Sequence, residues 1–350
     1  MFFSKKNHLV GLDIGSRTLK AAEVVKAGNG FVLKKIGFLD IPPGMIEDGF
    51  IKKPGELADS LRQLFKAYNI KERNVAISIG GYSVIIKKIL LEQMTEDELQ
   101  ERIKFEAEQY IPFDIDEVNL DFQILGENEH NPNQMNVLLV AAKKEIINDY
   151  VNLVHDAGLV PCIVDTDTFA LQNIFETTYG AQNEPVALID IGAVKTSINI
   201  MKNNSSVFVR DVSLGCGQIN QKIVEAAGCT LEEAEEIKHD PEPNKIAVEE
   251  LNSITGIVID NWCIEISRAI DFYYSTAPED QITKIFLSGG GANIERFCDL
   301  LAEQTSAEVK IFNPFDTMEV DDNLDYSYLK QIAPQAVICM GLAIRRVDDK

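Results

Sequence analysis

A strand that ends in Asp-Ile-Gly opens this chain and returns near its middle. The first copy is Asp13-Ile14-Gly15, which closes the apolar segment 9–14, and the second is Asp190-Ile191-Gly192, which closes the apolar segment 186–191. Glycine lets the backbone turn sharply and come within hydrogen-bond reach of a phosphate oxygen. An aspartate would repel phosphate directly, so its expected role is to hold a hydrated Mg²⁺ that bridges to the phosphate. Two matching hairpins that face each other across a cleft would form a phosphate clamp.

Residues after each triplet could complete such a clamp. Ser16 and Lys20 follow the first copy, and Lys195 and Thr196 follow the second, so each hairpin offers a hydroxyl and an ammonium group. A third element, Gly289-Gly290-Gly291, follows a predicted strand and precedes a helix, where a flat base can lie against the backbone. One Asp-Ile-Gly alone fits a plain turn equally well, and the glycines also fit a structural turn. The combination favours a nucleotide site, and the sequence lacks the Walker A and G-x-G-x-x-G signatures of other nucleotide sites.

Composition limits the functions that fit. The chain has 350 residues, 45% of them hydrophobic and 25% charged, which predicts a folded protein of two domains or one large two-lobed unit. Its net charge of -22 argues against a general nucleic-acid binder and against electrostatic docking on an anionic membrane. Neither a transmembrane segment of about 20 apolar residues nor a signal peptide is predicted. Six cysteines without C-x-x-C spacing predict free thiols in a reducing cytoplasm, and four scattered histidines argue against a zinc site.

Apolar periodicity predicts alternating strands and helices in the first half of the chain. Strands are expected at 9–15, 19–26, 30–39, 74–79, 83–91, 117–125, 135–142 and 161–165. Helices are expected from Pro54, from the capping box Thr95-x-x-Glu98 to Tyr110, and from Lys144 to Ala157. The order β-α-β-β-α-β from Ser83 onward predicts a compact subdomain, with a hairpin turn at 28–30 and a polar loop at 127–133.

The second half repeats the opening pattern and adds helices. Strands are expected at 196–202, 206–210 and 284–288. Helices are expected after a second capping box, Thr230-x-x-Glu233, and at 245–276, 294–305 and 334–346. The segment 241–243 is predicted to be a turn, and the acidic segment 318–328 a surface loop.

These features resemble the actin, Hsp70 and sugar-kinase superfamily. The two Asp-Ile-Gly hairpins match its phosphate motifs, and 288–291 matches its adenosine motif. The helix 234–238 is similar to the A-E-x-x-K helix of the bacterial actins FtsA and MreB, which implies that Glu235 and Lys238 approach the ribose and the base of ATP. A solvated charged helix face is the alternative for these two residues. The resemblance implies an α/β, actin-like (ribonuclease H-like) two-lobed fold that binds ATP and Mg²⁺.

Over nearly its whole length the chain is similar to the PilM family of type IV pilus assembly proteins. The likeness lies mainly in segments 105–113, 118–125, 140–145 and 157–161. It implies an FtsA-type inserted β-α-β-β-α-β subdomain and an ATP-binding cytoplasmic scaffold of the pilus assembly machinery. Such a scaffold is peripheral at the inner membrane because it holds the N-terminal cytoplasmic segment of PilN. Whether the chain also associates with itself stays open.

The same resemblance implies a division of the chain into four units. A first actin-like lobe is expected at 1–82, 161–185 and 332–350, and the inserted subdomain at 83–160. A second lobe is expected at 186–215 and 262–331, with a helical subdomain at 216–261.

Hydrolysis of ATP needs a group that positions water against the γ-phosphate, in addition to a clamp. In MreB-like actins a glutamate before the second phosphate strand fills this role, and the resemblance assigns it to Asp167 here. Because aspartate is one methylene shorter than glutamate, the expectation is slow or negligible turnover.

The sequence leaves the partner groove and two rival functions open. Phe105, Tyr110, Ile111 and Phe113 fit either a peptide groove beside the inserted subdomain or the core of that subdomain. An FtsA-like cell-division protein would carry a C-terminal amphipathic membrane helix, which residues 344–350 do not resemble. A small-molecule kinase would need a catalytic base and sugar contacts, which no motif supplies.

Overall fold

The first half of the chain forms a sheet, an inserted segment and a return to the sheet. The computed structural model describes residues 8–28, 30–128, 131–240 and 245–347. The chain begins with β1 (Val10–Ile14), β2 (Thr18–Ala27), β3 (Gly30–Asp40), β4 (Ile46–Glu47), β5 (Phe50–Ile51), α1 (Pro54–Ala67) and β6 (Asn74–Ile79). It continues with β7 (Val84–Glu92), α2 (Glu96–Ala107), β8 (Val118–Asn128), β9 (Asn131–Lys143), α3 (Lys144–Asp156), β10 (Val160–Thr166) and α4 (Asp167–Tyr179).

The second half forms another sheet and carries α7, the longest of the described helices. Its first elements are β11 (Val186–Ile191), β12 (Thr196–Lys202), β13 (Ser205–Val212), α5 (Gly217–Ala227), α6 (Leu231–His239) and α7 (Val248–Thr276). They are followed by β14 (Lys284–Ser288), α8 (Phe297–Thr305), β15 (Glu308–Ile311), β16 (Glu319–Val320), α9 (Tyr326–Ile332) and α10 (Val337–Ala343).

The two large sheets share one plan. In the first, the strand order is β10-β6-β1-β2-β3-β16, and in the second it is β13-β12-β11-β14-β15. Each sheet has three consecutive antiparallel strands followed by two strands parallel to the first of them. The triplet-bearing strands β1 and β11 lie in the middle of their sheets and are almost wholly apolar and buried, as expected of strands covered on both faces.

Helices α4 and α10 pack between the two sheets. Their apolar side chains share one core with β2, β3, β11 and β14, in which Phe175 contacts the rings of Phe286 and Phe312. Gly11 on β1 and Gly341 on α10 permit close packing, because a Cβ on either would overlap backbone atoms of a facing helix. Every residue of α10 is buried. This shared core fixes how the two triplets face each other.

The inserted segment forms a separate antiparallel sheet in the order β7-β9-β8, covered on one face by α2. Thr95 and Glu98 make the predicted capping box at the start of α2. Helix α3 instead buries Ile146, Tyr150 and Leu153 in the core of α1 and the first sheet. The predicted unit 83–160 therefore contains a helix that packs with the first lobe. Likewise, α7 runs without a break through the predicted boundary at 261, so the four-unit division stays a prediction.

Several predicted element boundaries were wrong. Strand β8 extends to Asn128 and β9 begins at Asn131, so most of the predicted polar loop is strand. Helix α2 ends at Ala107, before the predicted end at Tyr110. The predicted acidic loop contains β16 and the start of α9, and the predicted last helix begins as a short 3-10 turn before α10. Helices α4 and α5 and strand β15 were not predicted. The turn at 241–243 and Asn29 of the turn at 28–30 lie outside the described residues.

Within the described part of the chain, each helix is either too short or too polar to span a bilayer.

Candidate functional site

A cleft of about 1850 Å³ separates the two sheets at the ends of β1 and β11. Most of the residues predicted to bind nucleotide, together with Asp167, line this cleft: Asp13, Gly15, Ser16, Lys20, Asp167, Asp190, Gly192, Lys195, Glu235, Lys238, Gly289 and Gly290. Thr196 and Gly291 are the two that do not. Residues far apart in sequence are thus brought to one cavity.

Thr196 lies on the core side of its hairpin. It pairs with the buried Ile191 in the β11–β12 register, and its Oγ1 donates a hydrogen bond to the Leu214 carbonyl at 3.0 Å. Gly291 is needed for packing, because a Cβ there would run into the Ile191 side chain and lie 3.3 Å from the Trp262 ring. Both residues support the cleft wall without lining it.

The first hairpin neutralises its own aspartate. Asp13 on β1 lies directly across from Lys20 on β2, and the Lys20 Nζ donates to the Asp13 carboxylate at 2.7 Å. Burial raises the pKa of Asp13 and outweighs the lowering by Lys20, while the Asp13 charge raises the pKa of Lys20 against the effect of its own burial. The pair carries little net charge in one lobe.

The second hairpin sends its lysine to the other lobe. Lys195 is in the turn between β11 and β12, and its Nζ donates to the Asp167 carboxylate at the start of α4, at 2.8 Å. The other oxygen of Asp167 accepts from the Ser78 hydroxyl at 2.7 Å. Although burial would raise it, these two partners hold the pKa of Asp167 below its usual value. Asp211 lies 3.9 Å from Lys195 and adds a second negative charge.

No cation among the described residues pairs directly with Asp190, although the Lys20 ammonium is close enough to lower its pKa against the effect of burial. The Asp190 carboxylate accepts a hydrogen bond from the Ser288 hydroxyl at 2.8 Å, and within the described residues it forms no ion pair. Burial raises the pKa of Asp190 to about 6, despite the opposing effect of Ser288. The ionised carboxylate is therefore held in an unfavourable environment that a bound cation would improve.

Glu235 and Lys238 form a network on the wall made by α5 and α6. Lys238 donates to Glu235 at 2.7 Å and to Asn220 at 3.2 Å, and Asn220 donates to the other Glu235 oxygen. His239 lies 3.1 Å from the same carboxylate. Burial would raise the pKa of Glu235, but hydrogen bonds from His239, Lys238 and Asn220 together lower it. A solvated helix face does not account for this arrangement, because both side chains line the cleft.

The donor set fits magnesium that arrives with a phosphate. Among the residues described, there is no cluster of three acidic, histidine or cysteine side chains able to hold a metal. Asp13 and Asp190 nevertheless supply carboxylate oxygens on opposite sides of the cleft, and Mg²⁺ commonly combines one or two carboxylates with waters and phosphate oxygens. Gly15 and Gly192 border the cleft where the backbone turns tightly, since a Cβ would approach backbone oxygens at 2.8 Å and 3.2 Å.

Three residues that position the site were missed from the sequence: Ser78, Asn220 and Asp211. A signal was present for Ser78, because it lies near the end of β6, two residues before a pair of glycines, much as Ser288 of the adenosine motif ends β14 before three glycines. Ser288 also lies opposite Asp190 in the β11–β14 register. Asn220 belongs to α5, a helix that was not predicted, and no local pattern marks Asp211.

The four aromatic and apolar residues proposed for a partner groove separate into two groups. Ile111 is buried in the core of the inserted sheet, and Tyr110 and Phe113 pack against that core. Phe105 instead is 66% exposed on the outer face of α2. Ile111 is therefore a core residue, Tyr110 and Phe113 are half-buried at the edge of that core, and Phe105 is the most exposed of the four.

Comparison with known proteins identifies the family. The family model described as type IV pilus assembly protein PilM matches residues 11–347. The chain belongs to the PilM family. Its structure is similar to that of a PilM-PilN type IV pilus biogenesis complex, with a TM-score of 0.87, 27% identity, and coverage of 99% of this chain and 100% of that chain.

More distant structures show the fold alone. Ethanolamine utilization protein EutJ from Carboxydothermus hydrogenoformans has a TM-score of 0.58 and 15% identity, over 97% of this chain and 90% of that chain. MreB 5 of Spiroplasma citri, solved bound to AMPPNP, has a TM-score of 0.52 and 12% identity, over 97% of this chain and 95% of that chain. The predicted actin-like α/β fold and the resemblance to PilM are confirmed.

Proposed function

We propose that this PilM-family chain is an ATP-binding scaffold of the type IV pilus inner-membrane assembly complex, and that it holds the N-terminal cytoplasmic segment of PilN. The observation that carries the nucleotide part of the proposal is the convergence of both Asp-Ile-Gly hairpins on one cleft, where Asp190 forms no ion pair with any of the described residues. The partner part is supported by family membership and by the whole-chain likeness to a PilM-PilN complex.

Roles in the cleft follow from the arrangement of charge. Asp13 and Asp190 would hold Mg²⁺ through water, and the turns that follow Gly15 and Gly192 would present backbone N–H groups to phosphate oxygens, although the Gly192 N–H itself donates to the Lys195 carbonyl. Lys20 and Lys195 are the ammonium groups of the two hairpins, and both line the cleft where they can offset phosphate charge. Glu235 and Lys238 line the same cleft as Gly289 and Gly290, and these residues would serve the ribose and the base.

The nucleotide site is tested by calorimetric titration of Mg-ATP. Asp190→Ala should weaken binding by about tenfold or more, because it removes a charged ligand group from a buried site. Asp271→Ala is the matched control, since Asp271 is an exposed carboxylate on α7, outside the cleft. Equal affinity of the wild type and Asp190→Ala would contradict the clamp.

The same geometry favours binding over hydrolysis. One oxygen of Asp167 accepts from Lys195 and the other from Ser78, so the carboxylate is held towards the lobes by two partners, and it is one methylene shorter than the glutamate that fills the water-positioning role in MreB-like actins. We therefore propose slow or negligible ATP turnover. Phosphate release at several turnovers per minute from the purified protein, abolished by Asp167→Asn, would refute this proposal.

The partner is tested with a synthetic peptide of the PilN N-terminal segment. Saturable binding in fluorescence anisotropy, absent with a scrambled peptide, is expected. Phe105→Ala should weaken it, whereas Tyr326→Ala should not, because Tyr326 is equally exposed but lies on α9. Failure of the wild type to bind the peptide would remove the scaffold assignment, and equal binding by Phe105→Ala would remove only Phe105 from the groove.

A further inference from the structure

A short turn that joins the first lobe to the inserted sheet lies against the ion pair between Lys195 and Asp167. Strands β6 and β7 are separated by Gly80 and by one turn of 3-10 helix at Gly81–Ser83. A Cβ built on Gly80 would overlap both the Asp167 carboxylate and the Lys195 Nζ. The backbone of Gly80 is extended, so glycine is needed here for close approach. The turn therefore packs directly against the pair.

The chain returns from the inserted sheet beside the same ion pair. Strand β9 ends at Lys143, and α3 begins at the next residue with no linker between them. Tyr150 on α3 lines the interlobe cleft. Burial has the largest effect in raising the pKa of Tyr150, the Asp167 charge raises it further, and the Lys195 charge lowers it. Both covalent connections of the inserted sheet thus run past the contact between the lobes.

The turn also reaches the second lobe through Tyr82. The Tyr82 and Ser213 hydroxyls form a hydrogen bond of 2.7 Å, and Ser213 directly follows β13. Strand β7, which begins after the turn, lies close to β13 as well. Because Tyr82 is 65% exposed, this contact does not serve to bury apolar surface. The turn is therefore supported from one lobe by an ion pair and held to the other by a hydrogen bond.

Lys195 is the member of the ion pair that a nucleotide would move. It lines the cleft in the turn of the second hairpin, and a further carboxylate, Asp211, lies 3.9 Å away. Phosphate oxygens and the Asp167 carboxylate require the same ammonium donors, so a phosphate in the cleft would draw Lys195 partly away from Asp167. Because Gly80 packs against this ammonium group, its movement would change the support beneath the turn.

We propose that the hydrogen bond between Tyr82 and Ser213 is a clasp that holds the inserted sheet to the second lobe until a nucleotide binds, and that the nucleotide opens it through Lys195 and Gly80. This inference rests on the proposed nucleotide binding. Linkage is reciprocal, so a nucleotide that weakens the clasp is itself bound more weakly while the clasp is closed, and by the same factor.

Removal of either hydroxyl tests the clasp by calorimetric titration of Mg-ATP. Tyr82→Phe and Ser213→Ala should each raise the affinity about threefold, the factor expected when binding no longer has to break one net hydrogen bond. The double variant should show the same threefold gain, because the second substitution removes a group that has already lost its partner. An additive gain of about ninefold would mean that the two hydroxyls act separately, and would overturn the clasp.

Tyr326→Phe is the matched control. Tyr326 is 68% exposed, close to the value for Tyr82, but it lies on α9 and outside the cleft. Its loss of a hydroxyl should leave the affinity for Mg-ATP unchanged.

Amide hydrogen exchange tests the effect on the inserted sheet. Mg-ATP should speed exchange in segment 80–92, which contains the turn and β7, in the wild-type protein. In Tyr82→Phe, exchange there should already be fast without nucleotide and should respond less to it.

The outcomes separate this inference from the function on which it rests. Unchanged or lower Mg-ATP affinity in either hydroxyl variant would overturn the clasp, as would unchanged or slower exchange of segment 80–92 when Mg-ATP binds the wild type. A wild-type protein that does not bind Mg-ATP would instead refute the proposed nucleotide binding.

Discussion

Asp190→Asn is expected to stabilise the protein at neutral pH while it weakens the proposed magnesium site. The aspartate is partly buried, forms no ion pair with any residue that the structure describes, and accepts a hydrogen bond from the Ser288 hydroxyl at 2.8 Å. Asparagine is nearly the same shape, and its Oδ1 can accept that bond. The substitution therefore removes the poorly solvated charge and retains the local structure.

The raised pKa of Asp190 sets both the size of the expected stabilisation and the pH range in which it develops. The pKa of Asp190 moves from 3.8 to about 6 on folding, mainly because of burial. Between these values the folded state keeps a proton that the unfolded chain has released, so the free energy of unfolding falls as pH rises. The loss in free energy of unfolding that the ionised Asp190 causes is complete above about pH 6, and it amounts to at most about 3 kcal/mol.

Urea unfolding of wild type and Asp190→Asn across this pH range is the assay. The variant should gain little near pH 4 and about 2–3 kcal/mol near pH 7, with most of the change below pH 6. An increase in the free energy of unfolding that is constant with pH, or a decrease at neutral pH, would refute the view that the ionised Asp190 is poorly solvated and destabilises the fold.

The equivalent change in the first hairpin provides the control. Asp13→Asn also removes a buried carboxylate, but it leaves Lys20 without its 2.7 Å partner. We therefore expect it to stabilise the fold much less than Asp190→Asn, or to destabilise it. Equal stabilisation by the two variants would mean that the Lys20 ion pair has no energetic effect.

Three further changes test other parts of the structure. Lys195→Met should lower the free energy of unfolding in urea by about 1–2 kcal/mol, because it leaves the partly buried Asp167 paired only with a hydroxyl. Adding Asp167→Asn to this variant should recover part of the loss, and fully additive effects of the two substitutions would argue against the ion pair. Gly291→Ala should lower calorimetric stability by about 1–3 kcal/mol, since its methyl group would strike Ile191. Thr95→Ala removes the capping hydroxyl of α2 and should cost about 1 kcal/mol, seen as faster amide exchange in that helix; unchanged exchange would contradict the capping role.

The repeated plan of the two sheets was predictable because it depends on local signals. A buried apolar strand, a glycine turn and an antiparallel partner can each be recognised within about ten residues, and both copies showed all three. The register then places Asp13 opposite Lys20, and a parallel neighbour brings Ser288 beside Asp190. The location of most cleft residues followed from these rules.

Local sequence signals could not predict the direction in which each side chain points relative to the cleft. Lys195 and Thr196 are adjacent in sequence, yet one reaches the other lobe and the other is buried under its own hairpin. Helix α5, which provides Asn220, has only a short apolar face and begins at a glycine without a capping side chain. Both features depend on tertiary packing.

The lysines of the two hairpins pair differently, and this difference would couple a bound nucleotide to the relative position of the two lobes. Lys20 satisfies Asp13 within one lobe, but Lys195 crosses to Asp167, and Tyr82 crosses to Ser213 with a 2.7 Å hydrogen bond. A phosphate that engages Lys195 would compete with Asp167 for it, because a carboxylate and a phosphate oxygen require the same donors. The Lys195–Asp167 contact, one of several that join the lobes in this structure, is therefore the one that a bound nucleotide would weaken or share.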